Sequence, residues 1–309
     1  MEEKMENENY RSGFVAIVGK PNVGKSTLMN KLLAQQVAAV SIRPQTTRKR
    51  QLGILTDEHS QVIFVDTPGL HRPDYKLSQF INAEALSALH GADVILFLVD
   101  GSQAPDEQDL RLASEINAAK ASVPVILAVN KSELIRHEAR ENRLSAYQSL
   151  VERATPIEIS ALEDLNLKPL INLIKEKLPQ GPQYFPSDQV TDLYERDIAA
   201  DLIRAACLHY IEDEIPHSIA IRIDEYSERE NGGAYIHATI ILERESHKGM
   251  VIGKNGAMLK QIGTMARTEI EAMSERKVFL DLHVRVEKNW RNNPLLLKQF
   301  GYSSDRDSR

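Results

Sequence analysis

One short segment constrains this chain more than any other, because it matches the phosphate-binding pattern G-x-x-x-x-G-K-[ST]. It follows an apolar run at residues 14–18 and reads Gly19-Lys20-Pro21-Asn22-Val23-Gly24-Lys25-Ser26, with Thr27 next. Glycines let the backbone wrap around phosphates, and the following helix adds its positive N-terminal end. We expect Lys25 to reach the β- and γ-phosphates of a nucleotide, and the Ser26 hydroxyl to bind Mg²⁺.

Apolar runs of strand length alternate with helix-like segments through the first half of the 309-residue chain. The predicted strands are 14–18, 61–65, 93–99, 123–129 and 157–159, and the predicted helices are 25–34, 76–89, 106–120 and 167–177. Continuous apolar strands between helices favour a mostly parallel sheet that is covered on both faces. We therefore predict an α/β domain over residues 8–178.

The second half has a different pattern, and a Pro/Gly-rich stretch at 179–190 is predicted to be a linker between the two. A helix at about 192–212 precedes alternating strands at 218–226 and 234–243, with a turn at Asn231-Gly232-Gly233 between them. Helices up to about residue 274 and a strand at 278–286 follow. This order predicts a smaller α+β domain over 191–302, and the polar tail 303–309 is expected to be disordered.

Composition limits the location and the partners. The net charge of −6 excludes a protein that is basic throughout, so a nucleic-acid site has to be a local patch. The single cysteine, Cys207, excludes a disulfide within the chain, and its apolar helical surroundings predict a core thiol. No apolar run is long enough to span a bilayer, and the acidic, polar N-terminus is not a signal peptide. We expect a cytoplasmic protein.

A second phosphate-site motif, Asp66-Thr67-Pro68-Gly69 followed by Leu70, ends the predicted strand 61–65. An Asp at this end of a strand lies beside the phosphate loop, where it can hold Mg²⁺ through water. Gly69 can offer its N–H to a γ-phosphate. A threonine from the polar segment before it, Thr47 in preference to Thr46, is expected to complete the Mg²⁺ shell. Together these features predict a GTPase.

The base-recognition motif of GTPases is N-K-x-D, and this chain has Asn130-Lys131-Ser132-Glu133 after the strand 123–129. The acid accepts hydrogen bonds from the guanine N–H and amine, which adenine cannot supply. Glu133 has the same chemistry as Asp on a longer stem, so we expect weaker guanine binding but the same preference. Ser160-Ala161 is predicted to place backbone N–H groups near the guanine carbonyl.

Hydrolysis is expected to be slow without help. Many GTPases have a glutamine that orients water directly after D-x-x-G, where this chain has Leu70. Asn22 is one candidate for replacing the missing glutamine, because it could help to hold a monovalent cation such as K⁺ near the β,γ-bridge. The alternative is that the Asn22 side chain only stabilises the turn.

A specific string in the second half predicts RNA binding. It centres on Gly253-Lys254-Asn255-Gly256, with apolar residues before it and Met258, Leu259 and Ile262 after it. A G-x-x-G turn between helices brings backbone close to phosphates, as in KH domains, which clamp about four nucleotides. Residues 244–291 carry ten Lys/Arg against six Asp/Glu. Further candidates for contact with the RNA backbone are Lys260, Arg267, Lys288 and Arg291. The nine histidines include no pair at metal-ligand spacing beside Cys or carboxylates.

The whole series resembles the Era family of bacterial GTPases. The resemblance depends on G-K-P-N-V-G-K-S-T, Q-T-T-R, D-T-P-G-L, N-K-S-E, S-A-L and V-I-G-K-N-G, in that order. It implies a Ras-like P-loop GTPase domain followed by a type II KH domain, with GTP, GDP and Mg²⁺ as ligands. It also implies a role in small ribosomal subunit (30S-type) assembly, binding near the 3′ end of the small-subunit ribosomal RNA, and association of some molecules with the inner membrane face. No DNA partner is expected.

Three alternatives stay open from the sequence. A P-loop ATPase or kinase would bind ATP at least as tightly as GTP, and Glu133 is the one residue that supports this alternative. A nucleotide-gated RNA-binding adaptor with little intrinsic turnover is supported by Leu70. An assembly GTPase for transfer RNA or the large subunit is the third, and a KH domain beside a single GTPase domain argues against it.

Overall fold

The computed structural model describes residues 9–40, 48–68, 75–211, 215, 218–229 and 232–302. The chain divides by its internal contacts into two compact units. The first comprises residues 1–37, 50–70 and 83–192, and the second comprises 38–49, 71–82 and 193–309. The division therefore assigns two segments from the first half of the sequence to the second unit.

A six-stranded sheet forms the centre of the first unit, in the order β2-β3-β1-β4-β5-β6. All neighbouring pairs are parallel except β2 and β3, which are antiparallel. This confirms the predicted mostly parallel sheet. The strands are β1 Arg11–Val18, β2 Gln51–Thr56, β3 Ser60–Asp66, β4 Val94–Asp100, β5 Val125–Asn130 and β6 Thr155–Glu158. The helices are α1 Lys25–Leu33, α2 Lys76–His90, α3 Glu107–Ala118, α4 Arg140–Gln148 and α5 Leu167–Lys177, and the division between units falls within α2.

The central strands are apolar throughout because both faces of the sheet are covered. Every residue of β3 and of β4 is buried. Helix α3 begins where Asp106 accepts hydrogen bonds from two backbone N–H groups of the first turn, and the Asp109 side chain accepts one from the Asp106 N–H. The loops that follow β3 and β4 therefore start from buried strand ends.

The Pro/Gly-rich stretch expected to be a linker is hydrogen-bonded to strands of the first unit. The Gln61 side-chain amide donates to the Phe185 carbonyl at 2.9 Å and accepts from the Tyr184 and Phe185 N–H groups. Farther along, the Leu52 N–H donates to Asp192 at 2.9 Å. Residues up to Asp192 accordingly belong to the first unit.

The second unit is built on a three-stranded sheet in the order β7-β8-β9, in which β7 and β8 are antiparallel and β8 and β9 parallel. Its strands are β7 Ala220–Glu228, β8 Ala234–Leu242 and β9 Val278–Val286, and its helices after residue 193 are α6 Glu195–Tyr210, α7 Glu245–Ile252, α8 Ala257–Ser274 and α9 Pro294–Gln299. Alternate residues of β8, such as Ile236 and Ile240, pack against apolar residues of α6 and α8. The mixed α+β architecture agrees with the prediction.

Cys207 lies in the core of this unit with no exposed surface, so the predicted core thiol is confirmed. Burial raises its pKa to about 12, which keeps the thiol protonated and unreactive at neutral pH. Among the described residues, no helix combines the length and apolar character needed to cross a bilayer.

Candidate functional site

The loop between β1 and α1 has the backbone geometry that a phosphate-binding loop needs. Gly24 has φ +102°, and a Cβ atom there would lie 2.5 Å from the side-chain nitrogen of Asn130. At Gly19 a Cβ would lie 2.3 Å from the carbonyl oxygen of Leu98. Both positions exclude any larger residue, and between them Asn22 also has positive φ, at +64°. The loop ends at Gly24, which is the N-cap of α1.

The Lys25 ammonium group is held inside this loop. Its Nζ donates to the carbonyl oxygens of Gly19 at 2.9 Å and Lys20 at 3.1 Å. Burial lowers the pKa of Lys25, although the nearby charge of Asp66 opposes the shift. A buried cation that is ringed by backbone carbonyls fits an anionic ligand such as a nucleotide phosphate, because the ligand would supply the missing negative charge.

Two oxygen ligands suited to Mg²⁺ meet next to this lysine. The Ser26 hydroxyl donates to Asp66 Oδ2 at 2.9 Å, and Asp66 is fully buried at the end of β3. Thr67, the next residue, donates from its hydroxyl to the Ile17 carbonyl at 2.8 Å, which joins the end of β3 to β1. Mg²⁺ prefers hydroxyl, carboxylate and water oxygens, so this donor set fits the ion.

Part of the predicted phosphate site lies outside the described residues. Thr47, Gly69 and Leu70 are in this group, so their predicted roles remain predictions. Pro68 is the last described residue before the gap that contains Gly69 and Leu70.

The side-chain amide of Asn130 joins two loops of the predicted base site. Its nitrogen donates to the Val23 carbonyl at 2.7 Å, and its oxygen accepts from the Ala161 N–H at 2.9 Å. Asn130 therefore holds the phosphate loop and the loop after β6 in a fixed relation. Ser160, beside Ala161, is fully buried, and its hydroxyl accepts from the Glu163 N–H at 3.0 Å.

Lys131 and Glu133 lie in different surroundings. Lys131 has φ +62° and donates to Asp100 Oδ2 at 2.6 Å. Burial alone would raise the pKa of Asp100, but hydrogen bonds from Lys131 and Ser102 lower it overall. Ser132 is buried, whereas Glu133 is exposed at the start of a short 3-10 helix, where a ligand can reach its carboxylate.

Sequence reasoning missed two parts of this site. Asp100 could have been found, since a polar residue that ends an entirely apolar strand faces the same sheet edge as the motifs. The second is the contact of Lys20 Nζ with Asp106 and Asp109, at 2.9 and 2.8 Å. No motif connects residues 20 and 109, so no sequence pattern indicates this ion pair.

The predicted RNA-binding turn connects α7 and α8. Gly253 and Gly256 have φ +73° and +78°, and Asn255 between them has φ +53°. A Cβ at Gly253 would lie 2.7 Å from the Cβ of Met258, whereas one at Gly256 would meet nothing within 4 Å. The turn is therefore closed on its helix side and open at Gly256, where another backbone can approach.

The cationic residues predicted on the turn and on α8 are all exposed: Lys254, Lys260 and Arg267. Lys288 is exposed as well, whereas Arg291 is partly buried and donates to Glu243 at 2.8 Å. Lys260 and Arg267 are seven positions apart on α8 and so lie on the same face of that helix. Ile262, Ala266 and Ile270 form its buried face. The turn and this exposed helix face together offer backbone N–H groups and positive charge.

The sequence shows no histidine pair at metal-ligand spacing beside carboxylates, but the fold brings such a group together. His237 and His283 come together with Asp281 on neighbouring strands of the second unit, with ligand atoms within 4.8 Å of one another. The two histidines are 46 positions apart in the sequence, so the spacing of neighbouring residues could not predict the pair.

Comparison with known proteins agrees with both halves of this description. A family model described as "50S ribosome-binding GTPase" matches residues 14–131, and one described as "KH domain" matches residues 214–291. The protein "GTPase Era" of Geobacter metallireducens is 44% identical over 300 residues, which is 97% of this chain and 100% of that protein. The chain belongs to the Era family of GTPases. "GTPase Era" of Heliobacterium modesticaldum is 43% identical, over 96% of this chain and 98% of its own length.

Two solved Era structures match the fold over nearly the whole chain. One is Era in complex with MgGDPNP and nucleotides 1506–1542 of 16S ribosomal RNA, at 37% identity and a TM-score of 0.89, covering 95% of this chain and 99% of that one. The other is a single-residue variant of Aquifex aeolicus Era bound to GDP·AlF4⁻, at 36% identity with the same TM-score and coverage. Membership in this family confirms the predicted GTPase with a C-terminal KH domain, and a GTPase of this kind uses Mg²⁺.

Proposed function

We propose that this GTPase binds small-subunit ribosomal RNA near its 3′ end and acts in assembly of the small (30S-type) ribosomal subunit. The proposal depends on the presence of two sites in one chain. One is a loop with the geometry of a nucleotide phosphate site, and the other is an open G-x-x-G turn with exposed cationic residues beside it. Likeness to an Era structure that contains 16S ribosomal RNA supports the choice of RNA. The proposed boundaries are 8–178 for the GTPase domain and 191–302 for the KH domain, and the stretch 179–190 between them is a connection that is hydrogen-bonded to strands of the first unit.

In the proposed nucleotide site, Lys25 neutralises the β- and γ-phosphates, and the backbone from Gly19 to Thr27 surrounds them. Ser26 and Asp66 would hold Mg²⁺, which screens the phosphate charge when bound. Asn130 and Glu133 would recognise guanine, with Lys131 held in place by Asp100. The buried, carbonyl-ringed ammonium group of Lys25 supports this assignment, because the phosphates would offset its desolvation.

In the proposed RNA site, the turn from Gly253 to Gly256 contacts the RNA backbone, and Lys254 pairs with a phosphate. Lys260 and Arg267 extend the contact along α8. The open space at Gly256 supports close backbone approach, and the exposure of all three cations supports contact with phosphate.

The test is binding of a labelled RNA with the sequence of the 16S 3′ end to the full-length protein, saturated with Mg²⁺ and a non-hydrolysable GTP analogue. Lys254→Ala should weaken binding and reduce the slope of log K against log salt by about 0.7, the loss of one single-strand phosphate contact. Lys277→Ala is the matched control, since that lysine belongs to the same unit and its side chain is 91% exposed. Equal salt slopes for Lys254→Ala and wild type would exclude the proposed turn contact.

We also propose that Asn22 helps to hold K⁺ beside the β,γ-bridge during hydrolysis. Its backbone lies in the left-handed region at the bend of the phosphate loop, which supports a place near the phosphates. Hydrolysis by the wild type should be faster in K⁺ than in Na⁺, and Asn22→Ala should abolish the difference. Equal wild-type rates in both salts would exclude the K⁺ role and leave the GTPase assignment unaffected.

The proposed location is the cytoplasm, with a fraction of molecules in peripheral contact with the inner membrane face. The support is the resemblance to Era proteins noted from the sequence motifs. Co-sedimentation of the purified protein with anionic vesicles tests the membrane contact, and recovery of all protein in the supernatant would exclude it.

A further inference from the structure

The sheet of the second unit has one face packed on helices, and its other face carries a cluster of potential metal ligands. On β8, Tyr235, His237 and Thr239 alternate with the buried Ile236, Ala238 and Ile240. In the parallel register with β9, His237 pairs with Asp281, and Thr239 pairs with His283. Two histidines and a carboxylate thus occupy adjacent positions on the face opposite the core.

The two imidazole rings are already in contact. His237 Nε2 lies 2.7 Å from His283 Nδ1, and the ring centroids are 4.7 Å apart with the ring planes nearly perpendicular, at 86°. The ligand atoms of both histidines and of Asp281 all lie within 4.8 Å of one another. His237 and Asp281 are partly buried and His283 is exposed, so an ion from solvent can reach the cluster.

The neighbouring side chains define this small site. Tyr235 and Phe279 stack at 5.8 Å on one side of the cluster, and the Arg229 guanidinium lies over both rings. On the other side, Thr239 donates to Asp224 at 2.5 Å, and Arg222 donates to the same carboxylate at 2.6 Å.

Negative charge next to the histidines is therefore stable at neutral pH. The Asp224 carboxylate accepts hydrogen bonds from Thr239 and Arg222, and these stabilise its charged form. Among the described residues, the Arg222 and Arg285 guanidinium groups are engaged by Asp224 and Glu287. The arginines within β7 and β9 are thus already compensated, which reduces their repulsion of an incoming cation.

We propose that His237, Asp281 and His283 bind one divalent transition-metal ion, with Zn²⁺ as the best match. Two imidazole nitrogens and a carboxylate oxygen, with water in the fourth position, form a ligand set that Zn²⁺ takes in tetrahedral geometry. Mg²⁺ and Ca²⁺ prefer oxygen ligands only, so the two histidines select against both ions.

The adjustment needed for binding is small. With Zn–N bonds of about 2.0–2.1 Å and tetrahedral angles, two ligating nitrogens are about 3.3 Å apart. The observed nitrogens therefore have to separate by about 0.6 Å, which side-chain rotation can supply at a partly exposed pair. The hydrogen bond between the rings places a proton between His237 Nε2 and His283 Nδ1, where the metal would bind. For both nitrogens to bind the metal, each neutral ring has to carry its proton on its other nitrogen.

The experiment is titration of the full-length protein with Zn²⁺ by calorimetry, in the presence of saturating Mg²⁺ and GDP so that the nucleotide site is filled. Co²⁺ is the second probe, because its visible absorption reports tetrahedral coordination. The variants are His283→Ala, His237→Ala and Asp281→Asn. The matched control is His209→Ala, which removes an exposed histidine from α6 of the same unit.

We expect one Zn²⁺ per wild-type chain, an affinity at least about tenfold lower for each of the three variants, and no change for His209→Ala. Zn²⁺ should raise the thermal transition of the wild type and leave that of His283→Ala unchanged. If His237→Ala does not fold, His283→Ala and Asp281→Asn decide the result, since both act at the more open strand. Wild-type binding that none of the three variants weakens, or no binding at all, overturns the proposal.

Discussion

Lys20 Nζ lies 2.8 Å from Asp109 Oδ2, and only 9% of the first side chain and none of the second is exposed. The same ammonium group lies 2.9 Å from Asp106, the residue that caps α3. A side chain within the phosphate loop is thus bonded to the start of a helix almost ninety positions away. These contacts join the loop to α3 in the absence of a ligand, so they hold its shape without nucleotide.

Replacement of Lys20 tests this relationship. Lys20→Met leaves the Asp109 carboxylate buried without its cation, which should cost about 3–5 kcal/mol of the free energy of unfolding of the first unit. Urea denaturation of the nucleotide-free protein measures the loss. Arg111→Met is the control, since the Arg111–Glu107 pair is exposed and should contribute less than about 0.5 kcal/mol. A Lys20→Met loss as small as that of the control would contradict the argument.

A methyl group at Gly24 should disrupt nucleotide binding. Gly24→Ala places a Cβ 2.5 Å from the Asn130 amide nitrogen and at a φ of +102°. We expect about 1–3 kcal/mol of strain and a GDP affinity reduced at least about tenfold. Gly249→Ala is the matched control, because that helical glycine has nothing within 4 Å of its added Cβ and should gain about 0.5–1 kcal/mol of stability. Unchanged GDP affinity in Gly24→Ala would show that the loop opens at no cost.

The stability of the first unit should depend on pH through Asp57. Burial acts to raise its pKa, but hydrogen bonds from Lys175, from the His59 N–H and from Ser60 lower it from 3.8 to about 2. Because the folded pKa is the lower one, the stabilisation is fully present above about pH 4 and is lost as the pH falls towards 2. Asp57→Asn should thus be less stable than wild type near neutral pH, with the difference closing below about pH 4.

Denaturant midpoints measured between about pH 7 and pH 2.5 test the Asp57 prediction. Glu58→Gln provides the control, since Glu58 is the exposed neighbour of Asp57. A stability difference for Asp57→Asn that stays constant across this range would mean that the carboxylate charge does not contribute.

Shortening the acid at position 133 should strengthen guanine recognition. Glu133→Asp restores the usual N-K-x-D geometry, and one better hydrogen bond is worth about 0.5–1.5 kcal/mol, or about two- to twelvefold in GDP affinity. Binding of ADP should not change. Glu138→Asp, at an exposed glutamate of the following 3-10 helix, is the control. Fluorescence titration with GDP and ADP measures both, and an equal gain for the two nucleotides would exclude Glu133 as the guanine ligand.

The sequence predicted most elements of the fold because their patterns are strong, and the missed elements lack such patterns. Strand β9 was predicted with the observed ends, since apolar residues alternate along its whole length. Helix α4 was missed because its sequence is polar and Tyr147 is its one buried residue. Strand β2 is short and contains Gly53, and its pairing with β3 is antiparallel, which the alternation of strands and helices does not indicate.

The candidate sites divide in the same way. Contiguous motifs indicated the phosphate loop, the N-K-S-E segment and the G-x-x-G turn, because in each of them the residues proposed for one ligand group are neighbours in the chain. Contacts between residues that are distant in the sequence are not indicated by any contiguous motif. The partners of Lys20 and the histidine pair of β8 and β9 depend on strand order and register, which only the three-dimensional structure supplies.

The amide of Asn130 bonds at once to the Val23 carbonyl and the Ala161 N–H. One side chain is thus shared by the loops proposed for phosphate and for base, so a change at position 130 disturbs both. Glu133 is exposed, and its side chain can vary without disturbing that shared bond. A substitution at position 133 should therefore change the proposed base contact alone and leave intact the Asn130 hydrogen bonds that hold the phosphate loop.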